Sequence, residues 1–124
     1  MLSCQAQAAT AVKLLSPVSA ANTAAATSSW TDVRAAEGDL VFVCEAGAIT
    51  GGIVWTIEHA SDSGGTGGTG ITPNDGAFAA VTANTVQKRS VRADAVQGWV
   101  RVVGTITTGP VLVSASVVYH PKYA

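Results

Sequence analysis

Gly52-Ile53-Val54-Trp55-Thr56-Ile57-Glu58-His59-Ala60 is the stretch whose reading decides the fold. In an extended chain Ile53, Trp55 and Ile57 fall on one side while Val54, Thr56 and Glu58 fall on the other. That is the period-two signature of a strand with one buried face. Trp55 therefore reads as core. His59 continues the same face at the strand's end, and no Asp or Cys at ligand spacing accompanies it, so it reads as a rim residue.

Working outward, short β-branched and aromatic runs occupy residues 29–34, 39–46, 77–83, 85–93, 98–107 and 111–119, separated by Gly, Pro, Asn and Asp. This spacing is that of a sandwich or barrel. Thr108-Gly109-Pro110 joins the last two runs as a terminal hairpin. In that hairpin Val111, Val113, Ala115, Val117 and Tyr119 share one face. Val100, Val102, Gly104 and Ile106 form the matching apolar face of the preceding run, with Trp99, Arg101, Val103 and Thr105 on the other. With an early strand near residues 12–18, the expected fold is all-β: an antiparallel, jelly-roll-like β-sandwich of about eight strands. Ala, Ser, Thr and Gln dominate the opening of the chain, which Thr10, Ser16 and Pro17 keep from forming a long helix. Residues 1–11 are expected to be a flexible arm, and residues 12–124 a single β-sandwich domain. The Gly/Thr loop at residues 61–70 is too rich in glycine to order itself.

At 124 residues the chain has room for one core. Hydrophobic residues make up 48% and charged residues 12%, so it folds and carries few solvated charges. The net charge of −1, with only a modest basic cluster at residues 88–92, offers no stripe to neutralise phosphates, and direct nucleic-acid binding is not expected. No apolar stretch approaches the roughly 20 residues that span a bilayer, so no membrane partner and a soluble intracellular product are expected. Cys4 and Cys44 are too few and too distant for a metal site or a disulfide framework, and Cys44, within Leu40-Val41-Phe42-Val43-Cys44, reads as a small buried hydrophobe.

Chemistry is hard to place. Gly65-Thr66-Gly67-Gly68-Thr69-Gly70 matches the spacing of a dinucleotide fingerprint, but Pro73, Asn74, Asp75 and Gly76 follow where a helix is required. Glu58, His59 and Asp62 come nearest to a hydrolytic constellation, yet alternation sends Glu58 and His59 to opposite faces. No nucleophile elbow accompanies them. The expectation is a binding protein, not an enzyme, with no catalytic residue, cofactor or metal.

The segments Trp30-Thr31-Asp32-Val33-Arg34, Glu37-Gly38-Asp39-Leu40-Val41, Gly47-Ala48-Ile49-Thr50-Gly51-Gly52 and Ile57-Glu58-His59-Ala60-Ser61-Asp62 resemble small structural proteins of tailed bacteriophages. So does the stretch from Gly98 to Pro110, with the ending His120-Pro121-Lys122-Tyr123. The resemblance covers residues 11–124 and departs from the family pattern at the Gly/Thr loop, residues 64–70. It implies a virion component made in the host cytoplasm and placed on the capsid surface. There it would act as a decoration or cement protein on the major capsid protein, as a dimer or trimer. A neck, tail or head-fibre-base position is the alternative, and a carbohydrate-binding module with exposed Trp is a third. Val12, Leu14 and Leu15 near the arm, together with Trp30, Trp99, Arg101 and Tyr123, are the candidate contact residues, because Trp, Tyr and Arg are enriched where protein surfaces meet.

Overall fold

Alternating apolar residues assemble nine strands among the residues that the computed structural model describes, which are 10–20, 25–49, 51–108 and 110–121. They are β1 (Thr10–Ala20), β2 (Ala25–Thr27), β3 (Thr31–Asp32), β4 (Ala36–Ile49), β5 (Gly52–Ala60), β6 (Thr69–Ile71), β7 (Thr85–Arg92), β8 (Trp99–Thr108) and β9 (Val111–Pro121). A four-stranded sheet runs β1-β9-β4-β7, and a five-stranded sheet runs β2-β8-β5-β6 with β3 also on β8. All pairings are antiparallel. The first strand pairs with the last, β2 with β8, β4 with β7 and β5 with β6, so the pairs nest inside one another across two sheets. This is a jelly roll, as expected from the sequence.

The core lies between the sheets. Phe42, Cys44 and Ala46 on β4 stand opposite Val117, Ala115 and Val113 on β9, and all six are buried. On the facing sheet Ile53, Trp55 and Ile57 meet Ile106, Gly104 and Val102. The buried faces predicted for β5, β8 and β9 are the observed ones, and Cys44 on β4 is buried as expected. Burying a side chain the size of Val, Leu, Ile or Phe is worth roughly 1.5–3 kcal/mol, so this apolar layer holds the sheets together. Tyr119 packs against it from β9 as a partly buried residue.

β2 and β3 are one edge strand with an interruption. At the break, the Ser28 backbone N–H donates to Val102 O at 3.0 Å, and the Ser28 hydroxyl accepts the Val102 N–H at 3.0 Å. A buried serine thus replaces the ladder where the backbone leaves it, as buried polar groups require. The expected strand at residues 29–34 is accordingly only Thr31–Asp32.

Three further readings differ from expectation. β8 and β9, expected as a terminal hairpin, do not pair: β9 lies between β1 and β4 and β8 between β2 and β5, so the short connection between them crosses from one sheet to the other. Residues 77–83 do not form a strand; only Val81 bridges Ile53, with N–H···O bonds of 2.9 and 3.0 Å in the two directions. The Gln87 side-chain amide takes the place of a neighbouring strand: its Oε1 accepts the Ala79 N–H at 3.0 Å and its Nε2 donates to Ala79 O at 3.1 Å. Phe78 and Val81, three residues apart, are the buried positions, a spacing that regular alternation does not give. The Gly/Thr loop, in contrast, is closed by turns and ends in β6, which lies along β5.

Candidate interaction surface

The outer face of the five-stranded sheet gathers the aromatic and charged residues that its strands leave outside the core. In the β5–β8 register Arg101 stands opposite Glu58, and Arg101 Nε donates to Glu58 Oε1 at 2.7 Å. Both side chains are about 30% exposed, at 31% and 29%, so the pair is sheltered enough to be held in one geometry. The Arg101 guanidinium also lies over Trp30, 4.4 Å from the ring centroid, within the range of a cation–π contact.

A second stack runs alongside. Asp32 on β3 pairs in register with Trp99 on β8. Arg34, two residues on, grips Asp32 through both oxygens, Nε to Oδ1 at 2.9 Å and Nη2 to Oδ2 at 2.8 Å. The same guanidinium sits 5.4 Å from the Trp99 ring centroid. Hydrogen bonds from the Arg34 side chain and backbone hold the Asp32 carboxyl below the usual carboxylate range. Both cations of this surface are therefore matched by a carboxylate and laid on an indole.

Trp30 is fixed from another side by the Gly/Thr loop. Gly65 has a φ of +84°, and a methyl group placed on it would come within 2.6 Å of Trp30 Nε1. Only glycine permits both that backbone conformation and that approach. The loop is held in turn by Asp62, whose Oδ1 accepts the N–H groups of Gly64 at 2.9 Å and Thr66 at 3.1 Å. Next to Arg34, an open cleft of about 380 Å³ continues the surface past Glu37, Ala93, Asp94 and Gln97.

Of the residues singled out from sequence, Trp30, Trp99 and Arg101 come together here. Leu14 does not join them: at 7% exposure it belongs to the core, so it is not free to meet a partner. Val12 and Leu15 are partly buried against the core from β1, on the other sheet. Thr10 and Ala11, placed in the arm by sequence, already belong to β1, while residues 1–9 and Tyr123 lie outside the described residues. Sequence reasoning missed Arg34 and the roles of Glu58 and Gly65. The Asp-Val-Arg spacing at residues 32–34 was the available signal for the first; the other two depend on strand register and on a contact between distant segments.

His59 closes the rim of β5, its Nδ1 accepting the Gln97 backbone N–H at 3.1 Å. Among the described residues no three His, Cys, Asp or Glu side chains gather as a metal site. No helix among them is long and apolar enough to cross a membrane.

No protein-family model matches the chain, and no curated protein matches it in sequence. Among solved structures, the crystal structure of PirA is similar over 91% of this chain and 93% of that one, with a TM-score of 0.49 and 10% identity. The structure of the infectious bursal disease virus Gx strain is similar over 94% of this chain and 34% of that chain, with a TM-score of 0.43 and 15% identity.

Proposed function

We propose that this chain is a structural protein of a tailed-bacteriophage virion. In this reading it is a decoration or cement protein that binds the major capsid protein shell through the outer face of its five-stranded sheet. One observation carries the binding role: Trp30, Trp99, Arg34 and Arg101 share that face, each cation stacked on an indole and held by a carboxylate. Trp and Arg are the residue types that dominate binding energy at protein interfaces. Side chains already fixed by their neighbours lose less freedom on docking, which raises affinity. The assignment to phage virions rests on the sequence resemblance at residues 11–124.

Paired cations suit a protein partner better than a polyanion, because Asp32 and Glu58 already neutralise the guanidiniums that phosphates would need. A protein that binds only the assembled shell stabilises that state by linkage. Assembly as a dimer or trimer would multiply modest contacts through effective concentration. Sugar binding is the weaker reading, since stacking on a sugar needs an open indole face and Trp30 is occupied by Arg101 and the Gly65 loop.

Cryo-electron microscopy of virions tests the position: density for this chain on the shell is expected, and density confined to neck or tail overturns the decoration role. For the surface, Trp99→Ala and Arg101→Ala should each weaken binding to purified expanded capsids by roughly tenfold or more, the size expected of interface anchors. Unchanged occupancy in both variants, with folding intact by circular dichroism, places the contact elsewhere.

A further inference from the structure

Val86 is 61% exposed and Leu112 46%, and these are the large hydrophobic side chains left exposed among the described residues. Both lie on the outer face of the four-stranded sheet, because their neighbours in β7 and β9 alternate inward. Partly exposed Val41, Val43 and Val118 continue the apolar surface between them. Contiguous apolar surface on one face marks an interaction site.

The charges on this face say what covers it. One row across the sheet reads Lys13, Ser116, Val43, Lys88, from β1 through β9 and β4 to β7, and the next holds Ser114, Glu45 and Val86. Glu45 is fixed over β9, its Oε1 accepting the Ser114 hydroxyl at 2.8 Å. Among the described residues neither lysine has an ion pair, and neither has Glu45. A partner of one sign would satisfy either the lysines or the carboxylate and repel the other. A second copy carries both signs in the same patch, which is what a twofold interface requires. The relief is mixed in the same way: beside the protruding Val86 and Leu112 lies a recess of about 220 Å³ lined by Lys13, Val43, Glu45, Ser114 and Ser116. A cavity on the order of 150 Å³ holds a benzene-sized guest, so the recess admits a valine or leucine side chain.

We infer that two copies of this chain associate face to face through their four-stranded sheets, Glu45 of each meeting a lysine of the other and the exposed valine and leucine closing over the small side chains of β9. Four strands span about 19 Å and the residues from Leu112 to Val118 about 24 Å, so two copies cover roughly 900 Å² before side-chain relief is counted. Specific interfaces begin near roughly 1,000 Å², so the dimer is a modest one, with a Kd in the micromolar range. This face is on the other sheet from the Trp30–Arg101 surface, and its test uses the free protein and does not depend on the proposed role in a virion.

Sedimentation velocity from about 1 to about 500 μM should follow the parent from monomer to dimer, the range set by a micromolar Kd. Glu45→Lys makes the charges of the face all positive, and the double variant Lys13→Glu, Lys88→Glu makes them all negative. Each variant alone should dimerise at least tenfold more weakly, with circular dichroism unchanged because all three positions are exposed. Mixed in equal amounts, the two should form a heterodimer at least as tight as the parent dimer. Val86→Ser combined with Leu112→Ser should weaken the parent dimer by tenfold or more. The inference is overturned if the parent stays monomeric throughout, if its dimer is indifferent to these substitutions, or if the mixed charge variants do not pair. A monomeric parent that instead binds a polyglutamate probe, and loses it in the Lys13→Glu, Lys88→Glu variant, would give the face to an acidic partner.

Discussion

Cys44 and Gly104 show what single positions contribute to this fold. Gly104 stands opposite Trp55 across β5 and β8, and a methyl group there would lie 2.7 Å from Ile53 Cδ1. The largest core side chain is thus accommodated by removing its neighbour's, which is how large and small residues interdigitate in a dense interior. Cys44 is fully buried on β4, as its apolar run predicts, and burial pushes its thiol up to about 12 from an ordinary 9.0. The consequence for pH has a definite sign. Above pH 9 the unfolded chain loses the Cys44 proton while the native chain keeps it until about pH 12, so the unfolded state binds fewer protons and stability falls as pH rises. The contribution is about 1 kcal/mol per pH unit in that window. Urea unfolding of the parent and of Cys44→Val at pH 8, 9 and 10 should show the parent losing this much more per unit above pH 9. Parallel pH profiles would mean that the native thiol ionises with the unfolded one.

Elements were legible where one strand decides its own faces, and illegible where a distant segment decides. Alternation alone places Ile53, Trp55 and Ile57 inside, as it does Val111, Val113, Ala115 and Val117. The loop after β5 was unreadable by the same means, because its order comes from Asp62 within it and from Trp30, thirty-odd residues earlier, packed against Gly65. Residues 77–83 misled for a related reason: their backbone groups are met by the Gln87 side chain, which no local pattern announces. The loop's dependence on these contacts can be measured. Gly65→Ala sets a Cβ against Trp30 in a backbone conformation that L-residues rarely adopt, and should speed amide exchange at Gly64 and Thr66 by about tenfold or more, the equivalent of roughly 1.4 kcal/mol of lost local stability. Acid should do the same. Hydrogen bonds from Thr66, Gly64 and Gly65 hold the Asp62 carboxyl below its ordinary range, so its stabilisation is present above that range and is lost as pH falls through the lowered value. Exchange rates unchanged by Gly65→Ala would show the loop to be ordered without Trp30.

For the whole molecule, the period-two faces indicated two layers, but not which strands meet. Alternation says which side of a strand is wet, and is silent on its neighbour. The nesting of β1 with β9, β2 with β8, β4 with β7 and β5 with β6 is set by long-range pairing, and so is the meeting of Trp30, Glu58 and Arg101. Such a topology has a kinetic signature. Pairing the first strand with the last closes nearly the whole chain into a loop, and the entropy of that closure precedes any reward from the contacts it makes. The domain should therefore fold in milliseconds to seconds, the range of sandwiches rich in non-local pairs, and not in microseconds. It should also unfold as one unit, because Leu14 on β1 and Val100 on β8, in different sheets, belong to the same buried cluster. Leu14→Ala and Val100→Ala should each lower the midpoint of a single urea transition, by an amount corresponding to about 2–5 kcal/mol for the leucine and less for the smaller valine. Stopped-flow fluorescence of Trp55, followed in a Trp30→Phe, Trp99→Phe background, reads the rate and the amplitude from the core itself. Two separate transitions, one sensitive to Leu14→Ala and the other to Val100→Ala, would mean that the sheets are stable apart and that the nested pairing does not unite them.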